Sequence, residues 1–149
     1  MHIALMEPEI GPNAGNIGRL CLGLNAQLHL IHPLGFQTDD KAVRRAGLDY
    51  WKHVAVTEHG SGREFWDWAV GRRVHLFSTK AKRPYTQIDF QKEDVLLFGP
   101  ESRGLPEALI EQKGAWTIPM TGPIRSLNLA NAVAVVAYGA LQHIEPTLF

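Results

Sequence analysis

The 149-residue sequence has one cysteine, Cys21, so no internal disulfide can staple it. It also lacks net charge: 15 Lys and Arg balance 15 Asp and Glu, and composition alone points to neither nucleic acid nor a membrane surface as partner. No apolar run reaches the roughly 20 residues that span a bilayer. The longest, Leu127 to Leu141, is interrupted by Asn128 and Asn131 and reads as a core helix. Low-complexity tracts, internal repeats and a basic stretch leading into an apolar signal core are absent too, so a reducing cytoplasm is the expected compartment. What is present is ample apolar material, 45% of the chain, which predicts one globular domain over residues 1–149. Cys21, on the apolar side of a helix with no basic neighbour to lower its pKa, reads as core rather than as a nucleophile.

Charge is clustered rather than spread. Basic residues gather at Lys41 to Arg45, Arg72-Arg73 and Lys80 to Arg83; acids gather at Glu7 and Glu9, Asp89 to Asp94 and Glu107 to Glu111. Short apolar runs bounded by turn formers predict strands at His2 to Met6, Gln27 to Ile31, His53 to Thr57, Arg73 to Phe77, Asp94 to Phe98 and Ala115 to Ile118. Helices are predicted between them: Asn16 to Leu24, Asp40 to Ala46 capped by Asp39, Gly62 to Val70 capped by Ser61, Pro106 to Gln112 with Pro106 in the first turn, and Leu127 to Ile144 capped by Ser126. This alternation, with continuous runs such as Val95-Leu96-Leu97-Phe98, predicts an α/β fold with a mostly parallel sheet and helices on both faces. Ligands in such sheets bind beyond the carboxyl ends of the strands, which directs attention to the loops after Met6, Phe77, Phe98 and Ile118.

Three stretches are dense in turn formers and polar side chains: GPNAGNIGR (Gly11 to Arg19), FGPESRGLP (Phe98 to Pro106) and IPMTGPIRSLNLAN (Ile118 to Asn131). The first invites a dinucleotide-binding reading, with Gly15 and Gly18 as two glycines of G-x-G-x-x-G. Asn13 stands in the first glycine position, and His32-Pro33 replaces the expected ribose-binding acid after the second strand. His29 and His32 have no cysteine or carboxylate to complete a tetrahedral set, so no metal is expected.

Taken in order, N-x-G-N-x-x-R, F-G-x-E-x-x-G-L and I-P-M followed by S-x-N-x-x-N-A resemble the three motifs of the SPOUT class of RNA methyltransferases, SpoU branch. DDKAVRRAGLDYW (Asp39 to Trp51) is similar to the subgroup that methylates the wobble ribose of tRNA, and the likeness runs over essentially the whole chain. It implies a SPOUT fold with a C-terminal trefoil knot, S-adenosylmethionine held in the knotted loops, a homodimer, and the anticodon stem-loop of tRNA as partner, with leucine tRNAs first in line. Phe77, Gly99, Gly104, Ile118, Met120, Ser126 and Leu127 occupy its cofactor-binding positions. Glycines there permit close backbone approach, and Ile118 and Met120 offer apolar surface to a purine; the plain alternative is that they make turns and fill core.

Arg19 is the first catalytic candidate, because a fixed guanidinium stabilises negative charge developing on an attacking hydroxyl. Asn13, Glu101, Ser126 and Asn128 complete the proposed site: the amides orient hydroxyls or backbone, and Glu101 fixes Arg19 or balances the sulfonium. Each also has a structural reading: Asn13 as a turn former, Ser126 as a cap, Glu101 paired with Arg103. Lys41, Arg44, Arg45, Arg103, Arg125 and Tyr138 are the RNA-binding candidates, in a local basic cleft whose affinity falls with salt. Tyr50, Trp51, Trp66 and Trp68 are expected to pack rather than stack on bases. A close variant, a SpoU-type 2′-O-methyltransferase of another tRNA or rRNA site, stays open, as do two other classes: a non-catalytic RNA-binding factor retaining the cofactor pocket, and the dinucleotide oxidoreductase.

Overall fold

The structure, a computed structural model, describes residues 1–39, 41–46 and 48–149, without the side chains of residues 42, 44, 46, 48 and 49. Seven strands form one sheet: β1 (His2–Met6), β2 (Gln27–Ile31), β3 (Val56–His59), β4 (Val74–Phe77), β5 (Arg83–Pro84), β6 (Val95–Phe98) and β7 (Trp116–Thr117). Their order is β3-β2-β1-β6-β4-β7-β5, and every pairing is parallel. The α/β reading with a parallel sheet is therefore borne out.

Successive residues of each central strand feed opposite layers. Ile3, Leu5, Leu28, Leu30, Leu96 and Phe98 face the layer containing α1 (Gly11–Gly23) and α5 (Leu129–Ile144), which contribute Ile17, Cys21, Val133 and Ala137. Ala4, Met6, Val95 and Leu97 face the opposite layer, with Phe65 of α3 (Gly62–Trp68) and Leu109 and Ile110 of α4 (Glu107–Lys113). Strands buried on both faces need the unbroken apolar runs seen in the sequence. Cys21 is fully buried, and burial pushes its thiol up to about 12, in keeping with a core role.

The remaining helix, α2, spans Lys41–Ala46 and leads into a 3-10 segment at Leu48–His53. That segment takes up the start of the strand predicted from His53, which begins instead at Val56. Ser61 caps α3 as expected, its hydroxyl accepting from Glu64 N at 3.2 Å. Pro106 is the cap of α4 rather than a first-turn residue, and α5 starts at Leu129, two residues later than predicted.

The largest correction concerns GPNAGNIGR. Gly11 to Gly23 is helical throughout, so Gly15 and Gly18 lie inside a helix and shape no turn. Pro12 is tolerated in the first turn, where its missing N–H has no helical partner. Gly18 serves close packing: a Cβ there would stand 2.5 Å from Cζ3 of Trp51.

Candidate active site

The loops after β4, β6 and β7 enclose a cavity of about 540 Å3 at the carboxyl ends of these strands, as the fold rule predicts. All seven residues at cofactor positions line it: Phe77, Gly99, Gly104, Ile118, Met120, Ser126 and Leu127. Phe77 and Phe98, paired in register on adjacent strands, stack with ring centroids 4.8 Å apart and form an apolar wall. Gly104 has φ +70, and a Cβ on it would meet nothing within 4 Å. Gly99 is needed for a different reason: a Cβ would stand 2.3 Å from Leu105 N, closing the loop's approach to itself. An apolar wall, a polar rim and a volume inside the usual range of roughly 300–1,000 Å3 fit an adenosyl cofactor. Phe77, Ile118, Met120 and Leu127 suit the flat base, and the side chains of the rim suit its polar end.

The polar residues of the three motifs meet at one side of this cavity. The Glu101 carboxylate accepts from the backbone N–H groups of Glu9 (2.7 Å) and Ile10 (3.1 Å) and from Asn13 Nδ2 (3.2 Å). The Asn13 oxygen accepts in turn from Asn128 Nδ2 at 3.0 Å. Asn128 Oδ1 accepts from Ala130 N (2.9 Å) and Asn131 N (3.3 Å), so Asn128, not Ser126, caps α5. Asn13, only 6% exposed, is a bridging residue inside a helix rather than a turn former.

Glu101 therefore pairs with neither Arg19 nor Arg103. Its negative charge sits at the start of α1, where it satisfies N–H groups that the helix itself leaves open. Arg103 is engaged by Glu7 and Glu9. Glu9 also accepts from the Ser102 hydroxyl (2.7 Å) and N–H (2.9 Å), which hold its carboxyl below the ordinary value. The whole 101–103 segment is thereby tied to the chain between β1 and α1.

Arg19 is exposed and lies outside the first cavity, with its guanidinium carbon 5.5 Å from the Tyr50 ring centroid. It lines a second cavity of about 590 Å3 between α1 and α5, together with Tyr138, 47% exposed on α5. Among the described residues only Asn13 and Asn128 line both cavities, so the hydrogen bond between them stands where the two meet.

Of the RNA-binding candidates, Lys41 and Arg45 are exposed on α2, Arg125 is exposed at the first cavity, and Arg103 is neutralised by its two glutamates. Arg44 belongs to α2, and its side chain lies outside the described residues. The indoles of Trp51, Trp66 and Trp68 pack against the core as expected, whereas Tyr50 is half-exposed beneath Arg19. Sequence reasoning did not single out Lys80, whose ammonium pairs with Glu107 at 2.7 Å on the cavity rim, nor Asn16 and Asn131 in the second cavity. The signals for Lys80 were its place just after a predicted strand and at the head of the basic Lys80 to Arg83 cluster.

The model of the SpoU rRNA methylase family matches residues 1–138. The chain is 44% identical over 147 residues to the tRNA (cytidine(34)-2'-O)-methyltransferase of Escherichia coli K12, covering 97% of this chain and 94% of that one. A solved structure concerned with the 2-OH methylation of C/U34 on tRNA superposes with a TM-score of 0.92 at 47% identity, covering 95% and 94% of the two chains. The AdoMet-bound rRNA methyltransferase of Sinorhizobium meliloti superposes with a TM-score of 0.86 at 26% identity, over 95% of this chain and 56% of that one.

Proposed function

The chain belongs to the SpoU rRNA methylase family, and from that premise we propose that it is an S-adenosylmethionine-dependent tRNA 2′-O-methyltransferase acting on the ribose of nucleotide 34, a cytidine or uridine. The relatives' names give the substrate class. The observation that carries the reading here is the pair of cavities meeting at Asn13 and Asn128, one suited to the cofactor and the other holding Arg19.

Bound S-adenosylmethionine supplies a methyl group on a positively charged sulfur. Everything else is asked of the protein. The Phe77–Phe98 wall and the 118–127 segment would hold the adenosyl group. From the second cavity the Arg19 guanidinium faces the ribose 2′-hydroxyl. Methyl transfer from the sulfur to the 2′-oxygen would require the hydroxyl proton to leave, to water or a neighbouring phosphate oxygen. Arg19 holds the developing oxyanion as a fixed donor, since a guanidinium keeps its own proton at neutral pH. Lys41, Arg45 and Arg125 bind the RNA backbone. The knotted C-terminal half, a homodimer and a cytoplasmic location belong to the same proposal. Support for the dimer comes from the apolar side chain of Val135, exposed along α5. No helix among the described residues is long and apolar enough to cross a membrane.

The test is R19A. Methyl transfer to tRNA should fall by about 100-fold or more, as for loss of an oxyanion donor, while calorimetric binding of S-adenosylmethionine stays at the unmodified level. An active R19A, or an unmodified protein that binds tRNA and transfers nothing, overturns the reading.

A further inference from the structure

Two helices of the site begin with the same short pattern. Asn13-Ala14-Gly15-Asn16 follows Gly11-Pro12 at the start of α1, and Asn128-Leu129-Ala130-Asn131 caps and opens α5. The inner asparagines, Asn13 and Asn128, are bonded to each other at 3.0 Å and have no freedom left to read a ligand. The outer ones, Asn16 and Asn131, stand three residues on, about one helical turn, and both line the second cavity beside Arg19. Both are exposed, and among the described residues neither side-chain amide has a hydrogen-bond partner. The rest of the lining includes three small residues, Gly23, Ala130 and Ala134, beside Leu20 and Tyr138, and the cavity has room for a flat ring.

We propose that Asn16 and Asn131 are the specificity-determining pair that meets the exocyclic group at position 4 of the target pyrimidine, and that their amides are why cytosine and uracil are both accepted. This rests on the methyltransferase reading above. If Arg19 and the Asn13–Asn128 boundary fix the ribose, the base extends away from the cofactor cavity along the α1–α5 groove, where the outer amides lie. Cytosine presents an amino donor at position 4 and uracil an oxo acceptor. A carboxamide carries both a donor and an acceptor, and half a turn about its last bond exchanges them. A carboxylate or an ammonium in the same place would accept one base and repel the other. Single-stranded RNA bases are read on this edge, which is open only when the nucleotide is unpaired.

The experiment compares kcat/KM for two anticodon stem-loop RNAs differing only in cytidine or uridine at position 34. The full-length protein is used unmodified and as N16D, N131D and the corresponding N16S and N131S. An aspartate only accepts, so at least one of the aspartate variants should shift the cytidine-to-uridine ratio toward cytidine by about tenfold or more. A serine hydroxyl both donates and accepts, so the serine variants should keep the unmodified ratio at reduced rate. Calorimetry with S-adenosylmethionine serves as the folding control. An unchanged ratio in both aspartate variants, equal loss on both RNAs, or the same shift in the serine variants overturns the inference and leaves the methyltransferase reading standing. An unmodified protein that methylates neither RNA overturns both.

Discussion

Asn128 Nδ2 donates to Asn13 Oδ1 at 3.0 Å, although the two residues are 115 positions apart. One amide thus does two jobs, since Asn128 Oδ1 also caps α5. The jobs separate by substitution. N128D keeps the capping acceptor but puts an oxygen against the Asn13 oxygen; N128A loses both contacts. We expect N128A to cost about 1.5–5 kcal/mol, the sum of a lost cap and an orphaned buried acceptor. N128D should cost less in stability at neutral pH but weaken S-adenosylmethionine binding, since it perturbs the wall shared by the cavities. Urea denaturation and calorimetry check the two halves; equal stability losses would show that the contact to Asn13, not the cap, carries the effect.

Glu101 joins the FGPESRGLP loop to the start of α1 through three donors. E101A leaves the N–H groups of Glu9 and Ile10 and the Asn13 amide without their acceptor, and hydrogen bonds to a charged group are worth about 1.5–3 kcal/mol each. E101Q keeps the shape but turns one acceptor into a donor facing other donors. Both variants should lower the thermal midpoint, and amide exchange should quicken at Glu9 and Ile10. Normal exchange there in a folded E101A protein would show that water replaces the carboxylate at no cost.

The sheet and its two apolar layers were legible because strand burial is written locally, as in Val95 to Phe98. The first cavity was legible as a candidate ligand site because fold rules place ligands at the carboxyl ends of parallel strands. The helix from Gly11 was not, because glycine, proline and asparagine argue individually for a turn. What overrides them is distant: Glu101 holds the helix start, and Trp51 fills the space that Gly18 leaves. Asn128 replaced Ser126 as cap for a similar reason, since its second hydrogen bond runs to α1. The two-residue β5 was missed because Arg83-Pro84 pairs only with β7 and carries no apolar signal.

Gly18 gives a prediction whose sign is decided by magnitudes. Alanine inside a helix is worth about 1 kcal/mol over glycine. Against this, a Cβ at Gly18 stands 2.5 Å from Trp51 Cζ3 and 2.8 Å from Cε3, and overpacking costs typically 1–3 kcal/mol. G18A should therefore be neutral to destabilising by about 2 kcal/mol, whereas G18A combined with W51L should recover stability relative to W51L alone. A double-mutant cycle in urea measures the coupling, and additive effects would show that the indole moves aside freely.

A column of buried imidazoles predicts acid sensitivity on the opposite side of the sheet from the cofactor. His2 Nδ1 and His29 Nε2 are 3.0 Å apart, as are His29 Nδ1 and His59 Nε2, across three adjacent strands. Trp68 packs against all three rings, its closest centroid 4.2 Å from His29, and Arg72 covers Trp68. Burial lowers the His29 pKa to about 3, helped by its two histidine neighbours and Arg72, and lowers those of His2 and His59. Glu93, bonded to His2, and Glu64, near His59, oppose the shift and do not cancel it. Because the folded values lie below the unfolded one, about 6.5, the unfolded chain binds more protons in this window. Stability is therefore full above about pH 6.5 and falls as the pH drops toward 3. Urea midpoints between pH 7 and pH 4 should decline, and H29Q, which removes the most strongly shifted group, should flatten that decline even if it lowers stability at pH 7. An equal slope in H29Q would assign the acid sensitivity to carboxylates instead.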